Sequence, residues 1–331
     1  MKNISDFEMP FVLRDFLNYL QTIRGKSVNT VLVYFYDLRL FFRFLKIHNK
    51  LVDKKTEFNE IDITDIDINL IKNITLSDLY SFMSYVSNNR DNTSHARARK
   101  VASLKSFFNY MANKAKLISS NPASELESPK IVKRLPRYLN IEESKQLLSS
   151  VSGENPERDY AIIVLFLNCG MRLSELVGIN LNNIKDNSLT VIGKGDKERT
   201  IPLNAACIQA LEAYMAVRKV NSVKDRNALF LSERKQRISK ESVQKIVKRY
   251  IKDAGLDPQR YSTHKLRHTA ATLMYRYGNV DIRTLQELLG HESIATTEIY
   301  THLGKQQLKD AVDSNPLSNF KRSAEHKNDK K

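Results

Sequence analysis

Three prolines at seven-residue intervals divide this chain of 331 residues into two parts: Pro122, Pro129 and Pro136. Proline disfavours helix in the residue before it and keeps a segment extended, so we predict a linker over residues 121–137. Glycine and proline are otherwise sparse, and apolar residues recur at helical spacing on both sides of the linker. The sequence therefore predicts a helical N-terminal domain over residues 1–120 and a larger domain over residues 138–331.

The N-terminal part contains four segments with the apolar spacing of amphipathic helices: residues 6–24, 30–48, 75–87 and 91–116. Four helices of this length pack as a small bundle. The fourth helix carries basic residues on its predicted polar side: Arg97, Arg99, Lys100 and Lys105. That side fits either an ordinary solvated face or a contact with the DNA backbone. Residues 53–67 hold six acidic side chains and are predicted to form an acidic loop of unassigned role.

The C-terminal part contains two short runs rich in β-branched residues, Ser188–Ile192 and 199–203, on either side of Gly193, Lys194 and Gly195. Turn residues between two such runs favour a β-hairpin. The glycines do not form a nucleotide-binding loop, because the pattern G-x-x-x-x-G-K-[ST] is missing. Most other segments have helical spacing, so the predicted fold class is mainly α with a small β-hairpin or sheet.

Charge and cysteine content narrow the class of partner. The formal net charge is +16, which favours a polyanion. The two cysteines, Cys169 and Cys207, give neither a disulfide framework nor a zinc pattern, and Cys169 lies in an apolar helical run that predicts a core position. The sequence shows no signal peptide and no apolar run near the ~20 residues that span a membrane. We therefore expect a cytoplasmic protein without membrane insertion.

The first group of candidate functional side chains is HKLRH, at residues 264–268. The segment has helical spacing, so His264 and Arg267 share one helix face. A guanidinium can bind two phosphate oxygens at once, and an imidazole can move protons near neutral pH. A metal-dependent nuclease site built from His264, His268 and His291 is disfavoured, because no carboxylate is placed as a ligand and the pattern HExxH is missing. We expect no metal or other cofactor.

The second group follows a predicted helix that ends at Gly290. Glycine permits a left-handed turn there, so His291 would project from the turn. Tyr300 lies nine residues further on. A tyrosine hydroxyl titrates near pH ~10 and needs a base or nearby cations to act as a nucleophile. Taken singly, His291 fits an ordinary turn residue and Tyr300 an ordinary core residue. Together with the first group, they predict a phosphate site with a tyrosine directed at it.

The sequence HKLRH, the sequence LLGH whose histidine lies twenty-four residues after Arg267, and Tyr300 together resemble the tyrosine recombinases of the phage integrase family. The resemblance extends over nearly the whole chain and is closest to the bacterial Xer recombinases. It implies a two-domain clamp around duplex DNA, with an N-terminal bundle that binds the core site and a C-terminal catalytic domain.

The resemblance also assigns residues outside these two groups. The segment GMRLSEL, residues 170–176, matches the one that supplies the first catalytic arginine, which is Arg172 here, and Glu175 would support the site. Lys194 matches the hairpin lysine that protonates the leaving oxygen. Lys197 lies close by.

The remaining roles follow from the same resemblance. Tyr300 would attack a phosphodiester to form a 3′-phosphotyrosyl intermediate, and His264 would accept its proton. Arg172 and Arg267 would hold the phosphate oxygens. His291 would donate a hydrogen bond to the phosphate, and His268 would be a supporting, structural residue.

The implied activity is site-specific cutting and rejoining of double-stranded DNA. Xer-type resolution of chromosome dimers is favoured, since no additional arm-binding domain is recognisable. Integration of a mobile element, type IB topoisomerase-like nicking and closing, and DNA binding without catalysis remain alternatives. The implied assembly is a homotetramer, or a heterotetramer with a related recombinase, on synapsed DNA. A DNA translocase is a further candidate partner. An apolar tail helix after Gly304 would dock on its own domain or, as the resemblance implies, on the neighbouring subunit.

Overall fold

The computed structural model describes residues 4–53, 55–90, 92–131, 137–193, 197–218, 224–278, 280–291 and 293–297. The chain divides into two compact units, Met1–Lys133 and Arg134–Lys331. Lys194, Tyr300 and the tail beyond Gly304 lie outside the described residues, so the predictions made for them stay predictions.

Four of the five described helices of the first unit begin at a side-chain cap. The described helices are α1 (Phe11–Asn18), α2 (Val28–His48), α3 (Ile68–Lys72), α4 (Leu76–Asn88) and α5 (Ser94–Asn113). Ser27, Thr75 and Thr93 each accept the backbone N–H three residues ahead and so fix where α2, α4 and α5 start. Between α1 and α2 the chain continues as a π-helical segment, Tyr19–Ile23. The four predicted helices are present, and α3 is an addition.

Phenylalanines from four helices form the core of this unit. Phe16, Phe41, Phe82 and Phe107 are fully buried and come from α1, α2, α4 and α5. Edge-to-face pairs join them across helices, with ring centroids 5.1 Å apart for Phe41 and Phe82 and 5.4 Å for Phe16 and Phe107. Aromatic pairs of this geometry add to the stability given by burial alone.

The acidic segment folds against the same bundle. Ile63 and Ile66 belong to its core and Ile61 is buried as well, whereas Lys46 of α2 binds the Asp65 carboxylate at 2.8 Å. The isoleucines therefore pack inward while most of the acidic side chains between them stay at the surface. The predicted acidic loop therefore packs along α2. The even mixture of Ile and Asp in the sequence did not reveal this contact.

One prediction for α5 is wrong. Lys100 does not lie on a polar face, because it is only 5% exposed and its Nζ is 3.5 Å from the buried carboxylate of Asp37 on α2. Arg99 binds the same carboxylate at 2.8 Å. A cation packed between two helices can be accommodated when such a partner is buried with it, and that partner lies 63 residues away in the sequence.

The second unit combines helices with a small sheet. Its described elements are α6 (Ile141–Ser149), α7 (Pro156–Cys169), α8 (Leu173–Gly178), β1 (Ile184–Lys185), β2 (Ser188–Ile192), β3 (Glu198–Pro202), α9 (Ala205–Val217), α10 (Lys240–Asp253), α11 (Thr263–Tyr277) and α12 (Ile282–Leu289). Helix α7 is buried along most of its length and packs against α9 and α11. Cys169 and Cys207 meet between α7 and α9 as free, buried thiols, which confirms Cys169 as a core residue.

The predicted hairpin is confirmed, and a third strand extends it. β2 and β3 pair antiparallel, with Ser188 opposite Pro202 and Ile192 opposite Glu198, and β1 adds to the other edge of β2. The fold class is therefore mainly α with a small sheet, as the sequence predicts. No helix in the described part of the chain is long and apolar enough to cross a membrane.

Candidate active site

The turn between α7 and α8 presents Arg172. Helix α7 ends at Gly170, whose φ of +56° lies in the left-handed region. A Cβ on Gly170 would come 2.8 Å from Leu289 Cδ2, so both conformation and space favour glycine. Arg172 is then the N-cap of α8, and its backbone N–H donates to Glu175 Oε2 at 2.6 Å. A tight turn between two packed helices thus fixes this arginine.

Glu175 is the anion around which three arginines gather, and Arg172, Arg199, Arg267 and Glu175 are called the arginine cluster below. Arg172 Nη1 lies 2.8 Å from Glu175 Oε1. Arg199 forks onto both oxygens, at 2.7 and 2.9 Å. Arg267 Nη1 lies 3.9 Å from Oε2. With three positive charges and one negative, the arginine cluster carries a net charge of +2.

The carboxylate of Glu175 stays ionised in this setting. Burial alone would raise its pKa, because its side chain is only 1% exposed. Hydrogen bonds from Arg199 and from the Arg172 backbone, together with the charge of Arg199, outweigh burial and lower the pKa to about 2. Glu175 is therefore a fixed anion at any physiological pH.

The last turn of α12 holds the other side of the arginine cluster. Its backbone carbonyls accept one arginine each: Leu288 from Arg199 at 2.9 Å, Leu289 from Arg267 at 2.6 Å, and Gly290 from Arg172 at 2.6 Å. The last carbonyls of a helix have no partner within the helix and carry partial negative charge, so cations are stabilised there. The arginine cluster is thus held between one carboxylate and one helix end.

His264 and His268 lie on α11, on either side of the position of Arg267 in the sequence. Their ring centroids are 4.6 Å apart. Burial, followed by the charge of Arg267, lowers the pKa of His264 below its ordinary value. Burial and the neighbouring His264 lower the pKa of His268 to about 4. Both imidazoles are therefore neutral at pH 7, and a neutral imidazole can accept a proton.

His291 follows Gly290, where α12 ends with φ of +63° as predicted. His291 Nδ1 lies 2.9 Å from the hydroxyl of buried Thr297, so this pair fixes the ring orientation. Burial and then the charges of Arg267 and Arg172 lower the pKa of His291 to about 4. When Thr297 donates to Nδ1, the neutral ring presents its other nitrogen as a donor.

An open cleft of about 510 Å³ lies beside the arginine cluster, and its lining includes Arg172, Arg199 and His291. A larger groove of about 890 Å³ lies against α7 and α10 and contains no residue of the arginine cluster. The chemistry therefore points to the smaller cleft. Among the described residues, no three His, Cys, Asp or Glu side chains are grouped so that they could hold a metal ion.

Six of the eight predicted site residues are described, and the structure brings them together: Arg172, Glu175, His264, Arg267, His268 and His291. Lys194 and Tyr300 lie outside the described residues. The sequence interpretation missed Arg199. A signal for it exists, because Arg199 is two residues from buried Ile201 on β3 and so shares its face. In a charged run such as DKERT, that alternation is easily overlooked.

Comparison with known proteins identifies the family of this chain. The model of the phage integrase family matches residues 137–307. The tyrosine recombinase XerC of Caldanaerobacter subterraneus subsp. tengcongensis is 60% identical over 309 residues, which cover 93% of this chain and 88% of that relative. The tyrosine recombinase XerD of Listeria monocytogenes serotype 4b is 35% identical over 306 residues, which cover 90% of this chain and 96% of the relative.

A solved structure also matches over most of its length. The XerH site-specific recombinase bound to its difH substrate, in a pre-cleavage complex, has a TM-score of 0.67 at 25% identity and covers 91% of this chain and 84% of that one. These matches confirm the resemblance drawn from HKLRH, LLGH and the tyrosine that follows them. The chain therefore belongs to the phage integrase family of tyrosine recombinases, enzymes that break and rejoin DNA.

Proposed function

We propose that this chain cuts and rejoins duplex DNA at specific sites, with Tyr300 as the nucleophile. The observation that carries the proposal is the arginine cluster, which holds a net charge of +2 beside neutral His264 and His291. Preorganised cations of this kind stabilise the negative charge of a phosphoryl-transfer transition state. Tyr300 itself lies outside the described residues, nine positions after His291.

In the proposed reaction, Tyr300 Oη attacks the scissile phosphorus while His264 accepts its proton. The bond from phosphorus to the 5′ oxygen breaks, and Lys194 donates a proton to that oxygen. The products are a 3′-phosphotyrosyl link and a free 5′-hydroxyl. A 5′-hydroxyl of a partner duplex then attacks the link and releases Tyr300. The phosphodiester bond energy is retained throughout, so the proposed sequence needs no cofactor.

The arginines have different parts in this proposal. Arg172 is the more exposed, at 33%, so its guanidinium would reach the phosphate oxygens from the cleft. Arg267 is 5% exposed and is held by the carbonyls of Gly170 and Leu289, so it would act at the back of the site and supply charge. His291 would donate to a phosphate oxygen, and His268 would support His264.

We further propose that the first unit binds the core site, so that residues 1–120 and 138–331 form a clamp around DNA, joined by residues 121–137. The boundary between the two compact units falls within that linker, which supports the division. Similarity to relatives named XerC and XerD supports resolution of chromosome dimers in the cytoplasm, in a tetramer of one recombinase or two related ones. A DNA translocase would then be a fitting partner. Integration of a mobile element is the alternative.

A nicked DNA substrate that traps the covalent intermediate tests the chemistry. Tyr300→Phe should abolish the covalent adduct while DNA affinity stays within about tenfold, because only the nucleophile is removed. Tyr277→Phe is the matched control, since Tyr277 is an exposed tyrosine at the end of α11, and it should form the adduct normally. A persistent adduct in the Tyr300 variant would reject the assignment. Genome-wide crosslink mapping of the Tyr300–DNA adduct would separate a single chromosomal site from the ends of a mobile element.

A further inference from the structure

Arg199 is built into the arginine cluster but has no part in the proposed reaction. Its guanidinium forks onto both oxygens of Glu175, and its Nε donates to the Leu288 carbonyl at 2.9 Å. Its side chain is 13% exposed, against 33% for Arg172. It is therefore set deeper than Arg172, where it contacts the groups that hold the site.

We propose that Arg199 is a positioning residue for strand cleavage: it holds Glu175, and through it Arg172, and it ties β3 to the end of α12. This inference rests on the proposed function and deepens it.

The end of α12 is shaped around this side chain. A Cβ added to Gly290 would lie 2.9 Å from Arg199 Nη1 and 3.2 Å from its Cδ. Real Cβ atoms are rarely so close to other atoms, so a side chain at Gly290 would displace Arg199. Because His291 follows Gly290 directly, the contact that places Arg199 also fixes the start of the segment that carries His291.

Arg199 also sets the orientation of Arg172. Glu175 Oε1 is shared, since it accepts from Arg172 Nη1 at 2.8 Å and from Arg199 Nη1 at 2.7 Å. Two arginines on one oxygen leave the carboxylate a single well-defined orientation. Without Arg199, the carboxylate keeps only its bonds from the backbone and side chain of Arg172, and the Leu288 carbonyl loses its donor.

The position of Arg199 in the sequence connects two proposed catalytic groups. Arg199 lies on β3, five residues after Lys194, the proposed general acid. Its contact with the Leu288 carbonyl anchors that strand to α12, three residues before His291. Arg199 thus links β3, which follows Lys194, to α12, which precedes His291. A displacement of about 1 Å at either group can cost about 10²-fold in rate.

Charge supplies a second consequence. After burial, the charges of Arg267, Arg172 and Arg199, in that order, and then His264, lower the pKa of His291. Replacing Arg199 by a neutral residue removes one of these charges and so should raise the pKa of His291. Lysine at the same position keeps the charge but cannot fork onto both oxygens of Glu175.

The test compares Arg199→Gln and Arg199→Lys with Arg218→Gln. Arg218 is a matched control, because it is a buried arginine that donates to the carbonyls of Ala228 and Leu229, outside the arginine cluster. The full chain would be assayed for single-turnover cleavage of the nicked substrate at saturating protein, for DNA affinity and for thermal unfolding. NMR titration would give the pKa of His291.

We expect Arg199→Gln to slow cleavage about 10²-fold. Its DNA affinity should stay within about threefold, because phosphate contacts elsewhere dominate binding. Arg199→Lys should cleave at a rate between those of Arg199→Gln and wild type. The pKa of His291 should stay low in Arg199→Lys and rise in Arg199→Gln. Arg218→Gln should cleave at the wild-type rate whatever its melting temperature. Wild-type cleavage by Arg199→Gln, or a loss in Arg218→Gln of the same size at equal stability, would overturn the inference. If wild type itself forms no adduct, the proposed function fails instead.

Discussion

Asp37 in the first unit and Glu175 in the second are both buried carboxylates with cationic partners, yet their pKa values move in opposite directions. Burial raises the pKa of Asp37, although Arg99, Lys100 and the hydroxyl of Ser103 act the other way. The pKa of Glu175 falls to about 2 despite similar burial. The presence of cations near a buried carboxylate therefore does not determine its ionisation.

Geometry explains the difference. Arg99 is 46% exposed, so solvent screens its charge, and Lys100 is 3.5 Å from the carboxylate. Glu175 instead receives a fork from Arg199 and two further bonds from Arg172, one of them from the backbone. Several short, directed donors stabilise the ionised form more than distant or screened charges do. In the first unit, the Asp37 carboxylate thus joins two packed helices. In the second unit, the Glu175 carboxylate is a fixed anion among arginines.

The largest expected effect comes from removing that anion. Glu175→Gln leaves three arginines without a carboxylate and frees Arg172 and Arg199 to move. We expect single-turnover cleavage to fall by about 10²-fold or more, and the free energy of unfolding to fall by about 3 kcal/mol, as for other broken buried ion pairs. Cleavage of the nicked substrate and urea denaturation measure the two effects. Wild-type cleavage in this variant would show that Glu175 is not needed to hold the arginines.

The matched change in the first unit should affect stability alone. Asp37→Asn removes the carboxylate that pairs with buried Lys100, so we expect the free energy of unfolding to fall by about 1–3 kcal/mol. Cleavage by the folded protein should be unchanged, because Asp37 and its partners Arg99, Lys100 and Ser103 all belong to the first unit. A cleavage defect as large as that of Glu175→Gln would erase the distinction between the two carboxylates.

The smallest expected effect is in the pH dependence of stability. The folded pKa of Glu175 lies below its ordinary value, so its stabilisation is present above pH 4.5 and is lost as pH falls toward 2. From pH 6 to pH 4, the advantage of wild type over Glu175→Gln should shrink by about 1 kcal/mol. The folded pKa of Asp37 is raised, so the part of its stabilisation that depends on protonation is complete below pH 3.8 and is lost as pH rises through the folded pKa.

The advantage of wild type over Asp37→Asn should therefore grow over the same fall in pH. Denaturation curves of the three proteins at pH 6, 5 and 4 would show the two trends. If both differences change in the same direction, the contrast between the two buried carboxylates is wrong.

Local sequence determined most of the helix boundaries, the positions of His264 and His268 on α11, and the position of His291 after α12. Ser27, Thr75 and Thr93 cap helices within three residues of themselves, and Gly290 ends α12 because it tolerates positive φ. Such signals involve neighbours in the chain, so they can be identified without a three-dimensional structure.

Only the tertiary structure decided which charged side chains are buried and what they bind. Arg199 pairs with Glu175, twenty-four residues earlier, and Lys100 with Asp37, sixty-three residues earlier. In the sequence, each of these cations stands in a charged run that fits a solvated surface equally well. Whether a long cationic side chain meets water or a buried carboxylate depends on packing between elements that are distant in the chain. Local periodicity carries no information about that packing.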